Sequence, residues 1–274
     1  MSVENEPRVD RKTIQIAAVV IAVVILIGIG VYVYNKEKIG KSSDPAAQQA
    51  ALTLLAEIPV KWPASKSGYS REQFGKPWTD DVDGVEFGHN HCDTRDDILR
   101  RDLSDVVPPS GCAVTSGVLH DPYTGKLITF NRDEGTDVLV QIDHVVALLD
   151  AWQTGAQQWN LVKRTQLAND PLDLLAVDGK ANRKKKASNV ASWLPSNKDF
   201  RCEYVTRVVK VKAKYGLWMI QAEHDEASRV LTKCSSQALP SSGVPRSSGV
   251  LPSSGVLPSV GTRFPSSSAT SQRP

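Results

Sequence analysis

Val140-Gln141-Ile142-Asp143-His144-Val145-Val146-Ala147-Leu148 is the stretch that decides the fold of this chain. Its β-favouring residues predict a strand over 137–142 that delivers an Asp-His pair. Side chains alternate faces along a strand, so Asp143 and His144 can serve one cleft only where the strand ends and the backbone turns. Downstream, Asn169-Asp170-Pro171 marks a break, and 172–177 follows as a second strand. Residues 179–187 then supply a helix with Asn182 set among Lys180, Arg183, Lys184, Lys185 and Lys186. Two strands and a helix around one cation make a ββα-metal unit within an α+β fold.

These residue types suit hydrolysis of a phosphodiester. A general base must activate water near neutral pH, and imidazole has the matching pKa, which nominates His144. A hard divalent cation, Mg2+ or Mn2+, would offset charge at the phosphate and take oxygen ligands from a carboxylate and an amide. Asp143 and Asn182 are those candidates. The cations around Asn182 could hold backbone phosphates of DNA, or of RNA by the same chemistry. A charge run is also the ordinary solvated face of a helix.

The segments 143–152 (DHVVALLDAW), 168–195 (ANDPLDLLAVDGKANRKKKASNVASWLP), 92–99 (CDTRDDIL) and 201–217 (RCEYVTRVVKVKAKYGL) resemble the HNH endonuclease family. Relatives in that family include secreted bacterial nucleases and the C-terminal domains of GmrSD-type restriction enzymes, and the likeness covers roughly 60–235. It implies His144 as general base, Asp143 and Asn182 as metal ligands, and Lys185 or Lys186 as a lysine on phosphate. Arg95 is family-typical and would brace the fold or touch phosphate. The polar residue that braces the base falls on Asp173, where the family often has Asn. A carboxylate there would orient the imidazole and raise its pKa by charge proximity. The alternative on the same fold is a non-catalytic extracellular module that binds nucleic acid or an anionic polymer.

Other motifs carry less. His89-Asn90-His91 is adjacent in sequence, whereas the family's residues are spread over two strands and a helix, and no second ligand pair supports zinc there. Asp80, Asp81 and Asp83 lack the closing Glu of a calcium loop. A hairpin is predicted from 113–119 and 126–130 around Asp121-Pro122-Tyr123-Thr124-Gly125. Trp152, Trp159 and Trp193 are expected in the core. Two final helices, near 199–215 and 221–233, bear Arg201, Arg207, Lys210, Lys212 and Lys214, either a further phosphate face or solvated charge.

The 274 residues divide by composition into five segments. Residues 1–12 form a cytoplasmic segment. Residues 13–35 hold no charged side chain and suffice to cross a bilayer as an uncleaved signal anchor, the alternative being a cleaved signal peptide. A linker and short helix occupy 36–59, the HNH-like domain 60–235, and a disordered Ser/Gly/Pro-rich tail 236–274, in which Ser-Ser-Gly-Val-Leu-Pro recurs at 247 and 253. Lysines and arginines flank the span on both sides and leave its orientation open. The four cysteines, Cys92, Cys112, Cys202 and Cys234, all follow it, which places the domain outside a single-pass cell membrane. Pairing Cys92 with Cys112 and Cys202 with Cys234 closes local loops; buried free thiols are the alternative. A net charge of +3 is too small to argue for nucleic acid by itself.

Overall fold

The computed structural model describes residues 45–107 and 111–238. The apolar stretch 13–35 and the tail beyond 238 lie outside the described residues. Among the described residues, no helix is long and apolar enough to cross a membrane.

Seven helices and five strands are described. They are α1 Pro45–Glu57, α2 Thr94–Asp102, β1 Leu103–Ser104, β2 Ser116–His120, β3 Leu127–Asn131, β4 Val140–His144, α3 Leu148–Gln153, α4 Leu161–Asn169, β5 Leu174–Asp178, α5 Gly179–Lys185, α6 Arg201–Tyr215 and α7 Gln221–Ala238. Local chemistry sets many of the boundaries. The Asp93 carboxylate accepts from Asp96 N at the start of α2, Asn160 caps α4 through Lys163 N, and Asp178 caps α5 through Ala181 N. Gly216, in the left-handed region at φ 68°, ends α6.

The strands form two antiparallel sheets, β1-β2-β3 and β4-β5. In the second, Asp143 pairs with Leu175 and His144 with Leu174. The strand expected from 137 begins instead at Val140, because Gly135 turns left-handed and Thr136–Val138 coil into a 3-10 turn. Helix α4 was not anticipated, since Leu161 and Val162 stay exposed and blur its apolar face.

The β4-β5 ladder separates two hydrophobic clusters. Val140, Ile142, Leu174 and Ala176 face Ile98, Leu99, Leu119 and Phe130. Leu175 and Val177 belong to the larger cluster, built on α1, α6 and α7 and including Trp152, with Trp159 and Trp193 packed against it. This is the period-two alternation of a strand buried on both faces. Disulfides join Cys92 to Cys112, tying the start of α2 to the chain before β2, and Cys202 to Cys234, stapling α6 to α7.

Most cations of the last helices turn inward. Lys212 Nζ lies 2.8 Å from both Asp150 and Glu223, and Lys214 pairs with Asp170 at 2.6 Å. Arg207 donates to the carbonyls of Pro171 and Leu172, and Arg201 to that of Pro195. Lys210 and Lys214 are the exposed ones of the five, and Lys214 still spends its charge on Asp170. The phosphate face suggested for these helices is therefore largely spent on internal bonds.

Gly179 fixes where α5 leaves the sheet. A Cβ built there would stand 2.4 Å from the Val138 carbonyl oxygen, a backbone atom that cannot swing aside. Gly179→Ala is expected to displace α5 and to destabilise the protein by about 1–3 kcal/mol, the usual cost of overpacking. Urea denaturation measures this; a loss under about 0.5 kcal/mol would mean that the α5 start is free to shift.

Candidate active site

The end of β4, the start of α3 and the length of α5 enclose a cleft of about 350 Å³. Asp143, His144, Asn182, Arg183 and Lys186 line it, with Tyr69 and Arg71 from the N-terminal segment. Asp143 and His144 project to opposite faces of β4, yet both reach the cleft because the strand stops there and residues 145–147 turn into α3.

His144 is buried, and two contacts orient it. Its Nε2 lies 2.9 Å from the Ala168 carbonyl oxygen, and its ring stacks on Trp78 at 5.7 Å between centroids and 15° between planes. A carbonyl only accepts, so Nε2 carries the proton of the neutral ring and Nδ1 keeps the lone pair. Burial pushes the imidazole pKa down to about 3, and the Ala168 bond opposes this only in part. The expected rise caused by Asp173 does not occur. Asp173 is buried and spends Oδ1 on Val146 N at 2.8 Å rather than on the ring, and among the described residues its Oδ2 has no hydrogen-bond partner. Burial holds its carboxyl well above the ordinary carboxylate range, so the neutral acid is favoured. It braces the turn after β4, while the imidazole is braced by α4.

Asp143 sits in a buried network. Tyr123 Oη donates to Oδ2 at 2.5 Å, and Lys185 Nζ lies 3.0 Å from Oδ2 and 3.2 Å from Oδ1. Burial raises the Asp143 pKa, opposed by Lys185 and the Tyr123 bond. Lys185 also donates to the His144 carbonyl at 2.7 Å and has no exposed surface. It therefore departs from the expected lysine on phosphate: its ammonium is directed into the protein, where it offsets the Asp143 charge. Its neighbour Lys186, held at φ 54° as α5 ends, lines the cleft instead.

Asn182 Nδ2 donates to Gln141 Oε1 at 3.1 Å, and among the described residues nothing donates to its Oδ1. A carboxylate offers about four lone-pair sites. Asp143 thus keeps acceptor capacity beyond its two partners. One carboxylate and one amide oxygen on the same wall suit a hard divalent cation that retains most of its waters. Among the described residues, no group of three or more His, Cys, Asp or Glu could hold a metal ion.

The remaining candidates separate. Arg183 joins Lys186 on the cleft. Lys180 and Lys184 are exposed on α5 but do not line it. Arg95 is half-buried and directs its guanidinium to the Val140 carbonyl at 3.4 Å, bracing β4 rather than lining the cleft. In the 79–93 loop, His89 bonds Asp83, and Asp80 accepts from the backbone N–H groups of Asn90 and His91. Tyr123, Trp78, Arg71 and the Ala168 carbonyl were not foreseen. Only the Pro-Tyr of the hairpin turn hinted at Tyr123; a backbone carbonyl leaves no mark in a sequence.

An uncharacterized secreted protein of Arthroderma benhamiae is 34% identical over 192 residues, covering 69% of this chain and 87% of the relative. No solved structure matches. The family model for the C-terminal domain of GmrSD restriction endonucleases matches residues 93–230, which span β4, β5 and α5. The chain belongs to the GmrSD C-terminal domain family, a nuclease-related family.

Proposed function

We propose that this protein is a metal-dependent endonuclease of the HNH type that hydrolyses DNA, and RNA by the same backbone chemistry, outside the cell membrane. The observation that carries this reading is the convergence of Asp143, His144 and Asn182 on one cleft whose unneutralised charges are positive. His144, held neutral by burial rather than poised near neutral pH as its residue type alone suggests, accepts the proton of the attacking water at Nδ1, the nitrogen left free by the Ala168 bond. Asp143 and Asn182 hold a divalent cation such as Mg2+, which when bound supplies positive charge at the scissile phosphate. Lys185 and Tyr123 hold the Asp143 carboxylate in place. Arg183 and Lys186 contact backbone phosphates, which give affinity without base readout.

Two disulfides and a relative described as secreted support action in an oxidising compartment. Residues 13–35 would tether the domain at the outer face of the membrane.

Supercoiled-plasmid nicking by the full chain tests the activity. Nicking should require Mg2+ or Mn2+, stop with a chelator, and fall by about 10–100-fold in Asn182→Ala, the usual scale for losing a group that serves a metal site. Nicking that persists in chelator would overturn the metal role. A folded protein that binds DNA but never nicks it would instead be a binding module.

A further inference from the structure

We propose that Arg71, from a segment outside the family-matched stretch, grips the scissile phosphodiester beside His144. This rests on the endonuclease reading and adds to it a substrate-binding residue.

Three observations point to Arg71. First, it lines the main cleft together with His144, and also a small neighbouring cavity that shares His144 and is bounded by Phe74, Trp78 and Ala168. A guanidinium on that rim stands where a phosphate attacked by water on His144 would carry its non-bridging oxygens. Second, its charge is held in no close ion pair, Glu72 acting on it only at longer range. Among the described residues no carboxylate lies within ion-pair distance of Arg71, and the side chain is exposed. Lys185, by contrast, already neutralises Asp143. Third, its platform is anchored. Arg71 opens the 3-10 turn Arg71–Phe74, whose Phe74 is buried. Arg164 Nε donates to the Gln73 carbonyl at 2.6 Å, and Gly75 at φ 84° lies so close to Thr165 that a Cβ would come within 2.5 Å of its Oγ1. Tyr69 packs edge-on against Phe74 and Trp152.

A planar guanidinium can bind two phosphate oxygens at once, which a lysine cannot do. Fixing that fork on a packed turn lowers the ordering cost when substrate arrives. Arg71 thus supplies on the opposite rim the contact that buried Lys185 cannot make from α5.

The test uses the full chain as wild type, Arg71→Ala, Arg71→Lys and, as control, Lys126→Ala at an exposed lysine outside the cleft lining. Plasmid nicking with Mg2+ gives kcat/KM. Binding of a labelled DNA duplex across a salt series, measured in a His144→Ala background, gives the slope of log affinity against log salt. Arg71→Ala should lose about 100-fold in kcat/KM, as for removal of a donor aimed at developing charge, and Arg71→Lys should recover only part of it. The salt slope should fall in magnitude by about one in Arg71→Ala and stay unchanged in Lys126→Ala. Wild-type nicking with both Arg71 variants matching it in rate and slope would overturn the proposal and leave the endonuclease reading intact. Absence of wild-type nicking would overturn the endonuclease reading, and the salt slope alone would then decide whether Arg71 holds phosphate. Should Arg71→Ala fail to fold, Arg71→Gln, which removes the charge and keeps a polar side chain of similar reach, decides by the same measurements.

Discussion

His144→Gln should fold and yet cleave DNA about 10²–10⁴-fold more slowly than wild type, the range expected for loss of a general base. The glutamine amide can still donate to the Ala168 carbonyl and fill part of the space beside Trp78, but it has no basic nitrogen. His144→Ala should lose as much rate and more stability, because truncating a buried ring leaves a void. The pair separates chemistry from packing. Equal rates with unequal melting temperatures identify the lost function as proton transfer. A His144→Gln rate within tenfold of wild type would remove His144 from the mechanism.

The largest loss of stability is expected from Lys212→Met. Lys212 and Glu223 have no exposed surface, and Asp150 is nearly buried beside them. Removing the ammonium strands two carboxylates in the core, and breaking a buried pair in this way costs about 3–5 kcal/mol. The deficit should depend on pH. In the wild type, burial pushes the Glu223 carboxyl up to about 7 despite the opposing pull of Lys212. A folded pKa above the unfolded one contributes stability below the unfolded value, and that contribution is lost as pH rises through the folded value. Without Lys212 the Glu223 pKa moves higher still, so the variant keeps that carboxyl as a neutral acid at low pH and is destabilised by ionising it at high pH. Denaturant titrations should therefore show a smaller deficit at pH 5 than at pH 8. A pH-independent deficit under 1 kcal/mol would show that the three groups are not electrostatically coupled.

The site was partly legible before the structure. Asp143, His144 and Asn182 stand out because their chemistry depends on side-chain type, and the strand-break-strand-helix order around them follows from local patterning. Lys185 was misplaced among five similar residues because a run of cations does not reveal its helical phase against a core. One residue of rotation separates buried Lys185 from cleft-lining Lys186. Asp173 was placed on the imidazole by resemblance, but its Oδ1 accepts from Val146 N instead.

By itself, the sequence determined the α+β class, the β4-β5-α5 order and the base and ligand candidates, and it favoured the two local cysteine loops without fixing them. These depend on periodicity, breakers and short separations, which neighbouring residues specify. The tertiary structure alone decided which cations are free and which are buried, that a carbonyl of α4 sets the tautomer of His144, and that Arg71 and Trp78 approach the ring from some seventy residues upstream. Those facts arise from packing between distant segments, where burial and charge pairing depend on the whole chain and no local pattern records the partner.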